Sequence, residues 1–189
     1  AIFEMNPDDY PDVADLLMNI QNWDRVASAD SYGAGAFAVL YYALGKYYSK
    51  LGPSKVFNKL LIYTCLKNAK KQLLKHFKTT SIRLGDFQKL VRGDKELPIF
   101  GLPDVVTAMR GSAHKNGTIK INHGESYIAL IRFGQNKTSV ASVISYGSSN
   151  RPDSPHYSDQ MEMYRRFQTK PMHFDRENVM KDAKKIYHP

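Results

Sequence analysis

Between Ser126 and Phe133 almost every position is apolar, and no other stretch restricts the possible folds of this chain as tightly. Alternation puts Tyr127, Ala129, Ile131 and Phe133 on one face of an extended segment and Ile128 and Leu130 on the other, so both faces call for cover. Gly134-Gln135-Asn136-Lys137 supplies turn residues. Ser139 to Tyr146 then resumes the alternation, with Val140, Ile144 and Tyr146 on one face and Ala141 and Val143 on the other. The pattern predicts an antiparallel hairpin in the middle of a sheet. Gly147 to Pro155 is too polar and too rich in Gly and Pro to extend the strand. His156 to Phe167 returns to helical spacing, with Tyr157, Met161, Tyr164 and Phe167 on one side.

The chain before this hairpin reads differently. Asp8-Asp9-Tyr10-Pro11 has the acids and the proline of a helix entrance, and Val13, Leu16, Leu17 and Ile20 continue it as an apolar stripe to about Asn22. Trp23 to Ser31 breaks the period and holds two capping residues, Ser28 and Asp30. From Tyr32 to Tyr48, Phe37, Leu40, Tyr41, Leu44 and Tyr48 recur at helical spacing, while Gly33, Ala34 and Gly35 permit close approach, which predicts a deeply buried helix. Gly52-Pro53 ends it and Ser54 can cap the next helix, over 55–78. That segment carries seven lysines and no acid, with Lys67, Lys71, Lys75 and Lys78 opposite Ile62, Leu66, Ala69, Leu73 and Phe77.

Beyond Thr80 the long period is lost. Ile82 to Pro98 reads as short extended pieces and turns, and Pro103 to Met109 is apolar but short enough for either a strand or a helix. Asn116-Gly117 marks a hairpin turn between Met109–His114 and Thr118–Asn122. Pro171 to Phe174 is extended, and Asp175 caps a last helix from about Glu177. The order of elements gives an α+β chain: a mainly helical segment over 1–80, then a mainly antiparallel β segment with C-terminal helices over 81–189, together one structural unit.

With 189 residues, 42% of them apolar and 12% aromatic, the chain can bury a core and is not of the disordered class. No apolar run approaches the roughly 18 residues of a membrane span. The expectation is a soluble chain without a membrane partner. The net charge of +9 raises the question of polyanions. The lysine face of 55–78 could track a phosphate backbone, but it has no arginine and no interleaved exposed aromatic ring, so a solvated face is the favoured reading and nucleic acid is not expected as a partner. The single cysteine, Cys65, excludes an internal disulfide and, in its apolar helical setting, reads as a buried inert thiol.

Candidate chemistry is sparse. Gly147-Ser148-Ser149-Asn150-Arg151 has a serine but lacks the second glycine of a nucleophile elbow. The six histidines, His76, His114, His123, His156, His173 and His188, show no metal-ligand spacing, and no metal or other cofactor is assigned. His156, Tyr157 and Asp159 can be drawn as an acid–base group. The simpler reading is a helix start, with Ser154 as cap, Pro155 in the first turn and Asp159 meeting the helix dipole.

Three sets of residues carry a family resemblance. Glu125-Ser126-Tyr127 opening an apolar strand, Ser145-Tyr146-Gly147-Ser148-Ser149, and Ser154-Pro155-His156-Tyr157-Ser158-Asp159-Gln160 resemble, in that order, the C-terminal end of the penicillin acylases and acyl-homoserine-lactone acylases, which are N-terminal-nucleophile amide hydrolases. Asn22-Trp23-Asp24-Arg25, Ala29 to Gly33, Leu84-Gly85-Asp86-Phe87 and Arg92 to Pro98 extend the likeness across roughly residues 23–174. Ser148 stands where the family usually has glutamine, and Arg151-Pro152-Asp153 replaces its small residues. In the family, a serine freed by internal cleavage attacks the amide with its own α-amino group as base, and an asparagine upstream of the matched segment helps hold the oxyanion.

The resemblance therefore implies a parent enzyme that hydrolyses linear amides and a periplasmic or secreted location. It carries no catalytic residue onto this chain. Ala1 has neither hydroxyl nor thiol, and the expectation is the C-terminal part of a larger acylase β chain, a partial piece of an αββα sandwich. Its partners would be the α chain and the N-terminal part of the β chain, or a second copy through the sheet face left uncovered. The alternatives are a freestanding polyanion-binding module using the lysine face, and a degenerate acylase-like assembly domain.

Overall fold

The structure is a computed structural model that describes residues 1–48, 50–51, 57–103, 105–135 and 138–186. Its contacts divide into two compact units, Ala1–Gly124 and Glu125–Pro189. The change from helix to strand and the division between units fall at different places. Helices run to Phe87 and strands follow from Gln88, whereas the units part in the short link between two strands.

In the first unit, α1 (Ala14–Gln21) buries Leu16, Leu17 and Ile20 beside Val13, the stripe read from the sequence. Asp8 to Pro11 is not its first turn. Pro7–Asp9 forms a separate 3-10 turn capped by Asn6, because Pro11 has no N–H to continue a helical ladder. The Gln21 amide ties this entrance down by donating to the carbonyls of Ile2 and Met5 at 3.0 and 2.7 Å.

Helix α2 (Tyr32–Tyr48) has the bounds that the spacing predicts, but its cap is Ser31, whose hydroxyl accepts from the Ala34 N–H at 3.1 Å. Its burial is uneven. Ala34, Gly35, Ala36, Ala38, Val39 and Leu40 are buried, while Phe37, Tyr41 and Leu44 are half-buried and Tyr48 is exposed. Small residues form the deeply packed face, and the aromatic residues build a ring ladder from Trp23 through Phe37 and Tyr41 to Tyr42 and Phe87, with centroids 5.2 to 6.5 Å apart. At Gly35 a Cβ would stand 2.3 Å from the Ile82 carbonyl, so only glycine allows this approach.

The expected boundary at Gly52-Pro53-Ser54 lies outside the described residues. Helix α3 (Lys59–Phe77) is capped instead by Asn58, which accepts from the Leu61 N–H at 2.8 Å, and ends on Lys78 in the left-handed conformation. It buries Ile62, Cys65, Leu66, Ala69 and Leu73, leaving Lys67, Lys71, Lys75 and Lys78 exposed as the spacing predicts.

A short α4 (Leu84–Phe87) leads into β1 (Gln88–Arg92), β2 (Lys95–Pro98), β3 (Met109–Ala113) and β4 (Ile119–Gly124). The sheet order is β2-β1-β4-β3, antiparallel except for a parallel β1–β4 pair. Ahead of β3, the described residues between Pro103 and Ala108 form neither of the two elements that this short apolar run allows. Beyond an isolated bridge from Leu102 to Ala108 its described residues turn and bend before β3, with Val106 93% exposed. The β3–β4 turn is the one expected. Asn116 (φ 55°) and Gly117 (φ 76°) sit between Lys115 and Thr118, and the Thr118 N–H returns to the Lys115 carbonyl at 3.1 Å.

The second unit holds β5 (Tyr127–Phe133), β6 (Thr138–Ile144), α5 (Met161–Arg165), β7 (Lys170–Met172) and α6 (Arg176–Asp182). The antiparallel β5–β6 hairpin pairs Tyr127 with Ile144 through to Phe133 with Thr138. Two residues of its expected turn, Asn136 and Lys137, lie outside the described residues.

The hairpin is not in the middle of a sheet. Among the described residues it belongs to a separate three-stranded sheet in the order β5-β6-β7 with β5 at the edge, and Tyr127, Leu130, Ile131 and Phe133 are exposed. Apolar residues on both faces signal affinity for cover, and do not by themselves supply it. Asp175 caps α6 as expected, accepting from the Asn178 N–H at 2.9 Å.

Candidate functional site

The loop after β6 is where the sequence concentrates its polar motifs. The predicted helix from His156 to Phe167 is shorter than expected: α5 begins only at Met161, and Phe167 is exposed at positive φ. Turns fill the gap, and they are pinned by backbone bonds. Tyr157 N–H reaches the Ser154 carbonyl, Ser149 N–H reaches the His156 carbonyl, and Gln160 N–H reaches the Tyr146 carbonyl at 2.9 Å.

Gln160 is buried, and its side-chain oxygen accepts from the Ile144 N–H at 3.2 Å, closing the loop onto β6. Gly147 makes room for this return, because a Cβ there would lie 2.2 Å from the His156 carbonyl oxygen. Met161 and Tyr164 are buried on α5, which packs on β6. The Tyr164 hydroxyl donates to the Glu125 carbonyl at 2.9 Å, and burial pushes its pKa far up, so it stays protonated.

His156 and Asp159 do meet, Nδ1 to Oδ2 at 2.8 Å, so Asp159 serves the imidazole and stands two residues ahead of α5 instead of within a helical first turn. Ser154 accepts from the His156 N–H at 3.2 Å, a local turn and not a helix cap. Asp159 is the only hydrogen-bond partner of the His156 ring among the described residues, and the side chains are 58% and 37% exposed. A water-accessible His–Asp pair can orient a ring, and among the described residues no hydroxyl is hydrogen-bonded to the imidazole for it to activate. Ser148 is an exposed loop residue.

The remaining histidines are dispersed. His114 faces Glu96 at 3.5 Å, His173 faces Asp182 at 3.0 Å, and His123 meets Asn122 at 2.7 Å; His188 lies outside the described residues. No group of metal-ligating side chains forms among the described residues. Cys65 is fully buried, and burial raises its thiol pKa. No helix among the described residues is long and apolar enough to cross a membrane.

The lysine face of α3 carries one aromatic ring that the sequence reading passed over: Lys67 Nζ lies 4.4 Å from the Tyr63 centroid. Lys70 is drawn away from that face by Asp15 at 3.2 Å and the Asp12 carbonyl at 2.7 Å.

One feature of the first unit had no sequence signal. A cleft of about 770 Å³ opens between α2, α3 and the β3–β4 turn. Val39, Ala69, Phe87 and Ile119 are its buried apolar lining, and its polar lining includes Lys46, Lys71, His76 and His114 beside uncharged amide and hydroxyl groups. These residues come from segments far apart in the chain: α2 packs on α3 and on α4, and the hairpin turn at Asn116-Gly117 closes on them where Gly117 packs on His76. A Cβ at Gly117 would meet the His76 ring at 2.5 Å.

Comparison with known proteins places these motifs in context. A profile of the penicillin amidase family matches residues 5–181. An acyl-homoserine lactone acylase, PvdQ, of Pseudomonas syringae pv. syringae is 29% identical over 101 residues, which are 52% of this chain and 13% of that protein. The protein of the same name from Pseudomonas fluorescens is 23% identical over 107 residues, 55% of this chain and 14% of its own length. Among solved structures, a thermostable penicillin G acylase from Alcaligenes faecalis overlaps 84% of this chain and 29% of its own, with 17% identity and a TM-score of 0.34.

Proposed function

The chain belongs to the penicillin amidase family, and from that membership we propose that it is a scaffold segment of an amide hydrolase. The enzyme breaks the carbonyl–nitrogen bond of a linear amide with water, releasing a carboxylic acid and an amine. The reacting group and the oxyanion donors come from parts of the enzyme outside this chain, and the acyl group is bound mainly there. The substrate is a penicillin-type or N-acyl-homoserine-lactone-type amide, and the partner is the remainder of the acylase. A place outside the cytoplasm fits the same reading. The observation that carries it is the family match through residues 5–181, on a chain that spans 13% of the first acylase relative it matches.

The test is an assay on a chromogenic acyl amide. The 189-residue chain alone releases no chromophore, and adding the complementary part of the acylase brings turnover. Turnover by the isolated chain that is lost in His156→Ala would overturn the proposal, since the proton acceptor would then lie here.

A second reading rests on the exposed row Lys67, Lys71, Lys75 and Lys78, which suits a polyanion. It requires binding to nucleic acid that weakens with added salt and on replacing those lysines by alanine. An unchanged mobility at low salt removes it.

A further inference from the structure

We propose that the cleft between α2, α3 and the β3–β4 turn is a binding site for an organic carboxylate with an extended apolar body, gripped at its charged end by Lys46 and Lys71. Three observations carry this. The cleft, about 770 Å³, falls within the range of small-molecule sites, and most of its lining surface is apolar, the setting in which such sites bury most of a ligand. Among the described residues no aspartate or glutamate lines it, while two lysines and two histidines do. Lys46 on α2 and Lys71 on α3 have no ion pair among the described residues, whereas Lys70, one position away, is held by Asp15. Their charge is therefore uncommitted.

The charge pattern decides the ligand class. A polyanion calls for a continuous row of cations and little apolar surface, and a phosphate is best met by an arginine fork. Here two exposed point charges share a lining with the buried Val39, Phe87 and Ile119, which matches one carboxylate on a long apolar body. His114 adds less, because it faces Glu96, and Glu96 is in turn held by Lys115 at 2.8 Å. Every lining residue lies within Ala1–Gly124, so the site does not depend on the amide-hydrolase reading or on the second unit.

The experiment titrates the full chain with decanoate, below its micelle concentration, and with decanol, following amide chemical shifts. Decanoate shifts the residues around the cleft, and decanol binds about tenfold more weakly. The Lys46→Ala/Lys71→Ala double variant, with unchanged circular dichroism, loses about the same factor for decanoate and nothing for decanol. Ala43→Trp, which fills the cleft from α2, abolishes binding of both. Equal binding of the two probes, an unaffected lysine double variant, retention of binding by Ala43→Trp, or shifts confined to β5–β7 would each overturn the assignment.

Discussion

Two glycines on one helix illustrate how much a single Cβ decides. Gly35 lies against the Ile82 carbonyl, where a Cβ would come within 2.3 Å of backbone that cannot give way, whereas a Cβ on Gly45 meets nothing within 4 Å. Gly35→Ala is expected to destabilise the chain by about 1–3 kcal/mol through overpacking, and Gly45→Ala to stabilise it by about 0.5–1 kcal/mol through backbone entropy. Urea melts of the two variants against the parent check both signs. Asp15 sets a pH dependence of the same local kind. Burial pushes its pKa up, but hydrogen bonds from Thr80 and Lys70 and from the Leu16 N–H outweigh that and hold it below the ordinary value of 3.8. A depressed carboxylate contributes stability that is present above its unfolded pKa and is lost as pH falls through the folded one. The melting-temperature gap between the parent and Asp15→Asn should therefore be largest from pH 5 to 7 and close in stronger acid. A gap that is constant with pH would show that the hydrogen bonds, and not the charge, are what Asp15 contributes.

Helix ends carry the next set of consequences. Asn58 satisfies the Leu61 N–H at the start of α3, so Asn58→Ala should cost about 1 kcal/mol. Lys78 ends the same helix at φ 60°, a conformation that penalises a Cβ, so Lys78→Gly should gain about 0.5–1 kcal/mol. Thermal melts of the pair would show opposite shifts. These elements also show what could be read beforehand. The bounds of α2, the buried stripe of α3 and the turn at Asn116-Gly117 were legible because each follows from a short-range rule: helical spacing, or a residue pair suited to positive φ. The helix expected from His156 was not, because its apolar spacing is genuine but its backbone N–H groups are claimed by Ser154, Ser158 and Tyr146 before a helical ladder can start. The parallel β1–β4 pairing joins segments about 30 residues apart and leaves no local mark. The cleft was illegible for the same reason, since its lysines and histidines share no motif. The His156–Asp159 contact was passed over for a helix start, because a spacing of three residues suits both, and its exposure left no mark in the sequence.

The apolar run that most constrains the chain ends up on the surface of its second unit. Leu130, Ile131 and Phe133 are 61%, 53% and 81% exposed, on a strand whose outer edge has no partner among the described residues. An uncovered apolar face beside an unpaired edge is the arrangement that soluble proteins ordinarily blunt with charge or cover, and β5 has Arg132 alone for that purpose. On the proposed reading the cover is the remainder of the acylase, and a chain held without it offers this surface to another copy of itself. Light scattering behind size exclusion should therefore show the average mass rising with concentration. Ile131→Lys/Phe133→Lys places two charges on one face of β5, and this variant should stay monomeric over the same range while keeping its far-ultraviolet circular dichroism. The same variant should also fail to recover turnover when mixed with the complementary part of the acylase, because one surface serves both associations. A parent chain that is monomeric at every concentration would mean that the exposed face is tolerated in water. A lysine variant that associates as strongly as the parent would move the contact elsewhere, and with it the assignment of this strand as the junction with the rest of the enzyme.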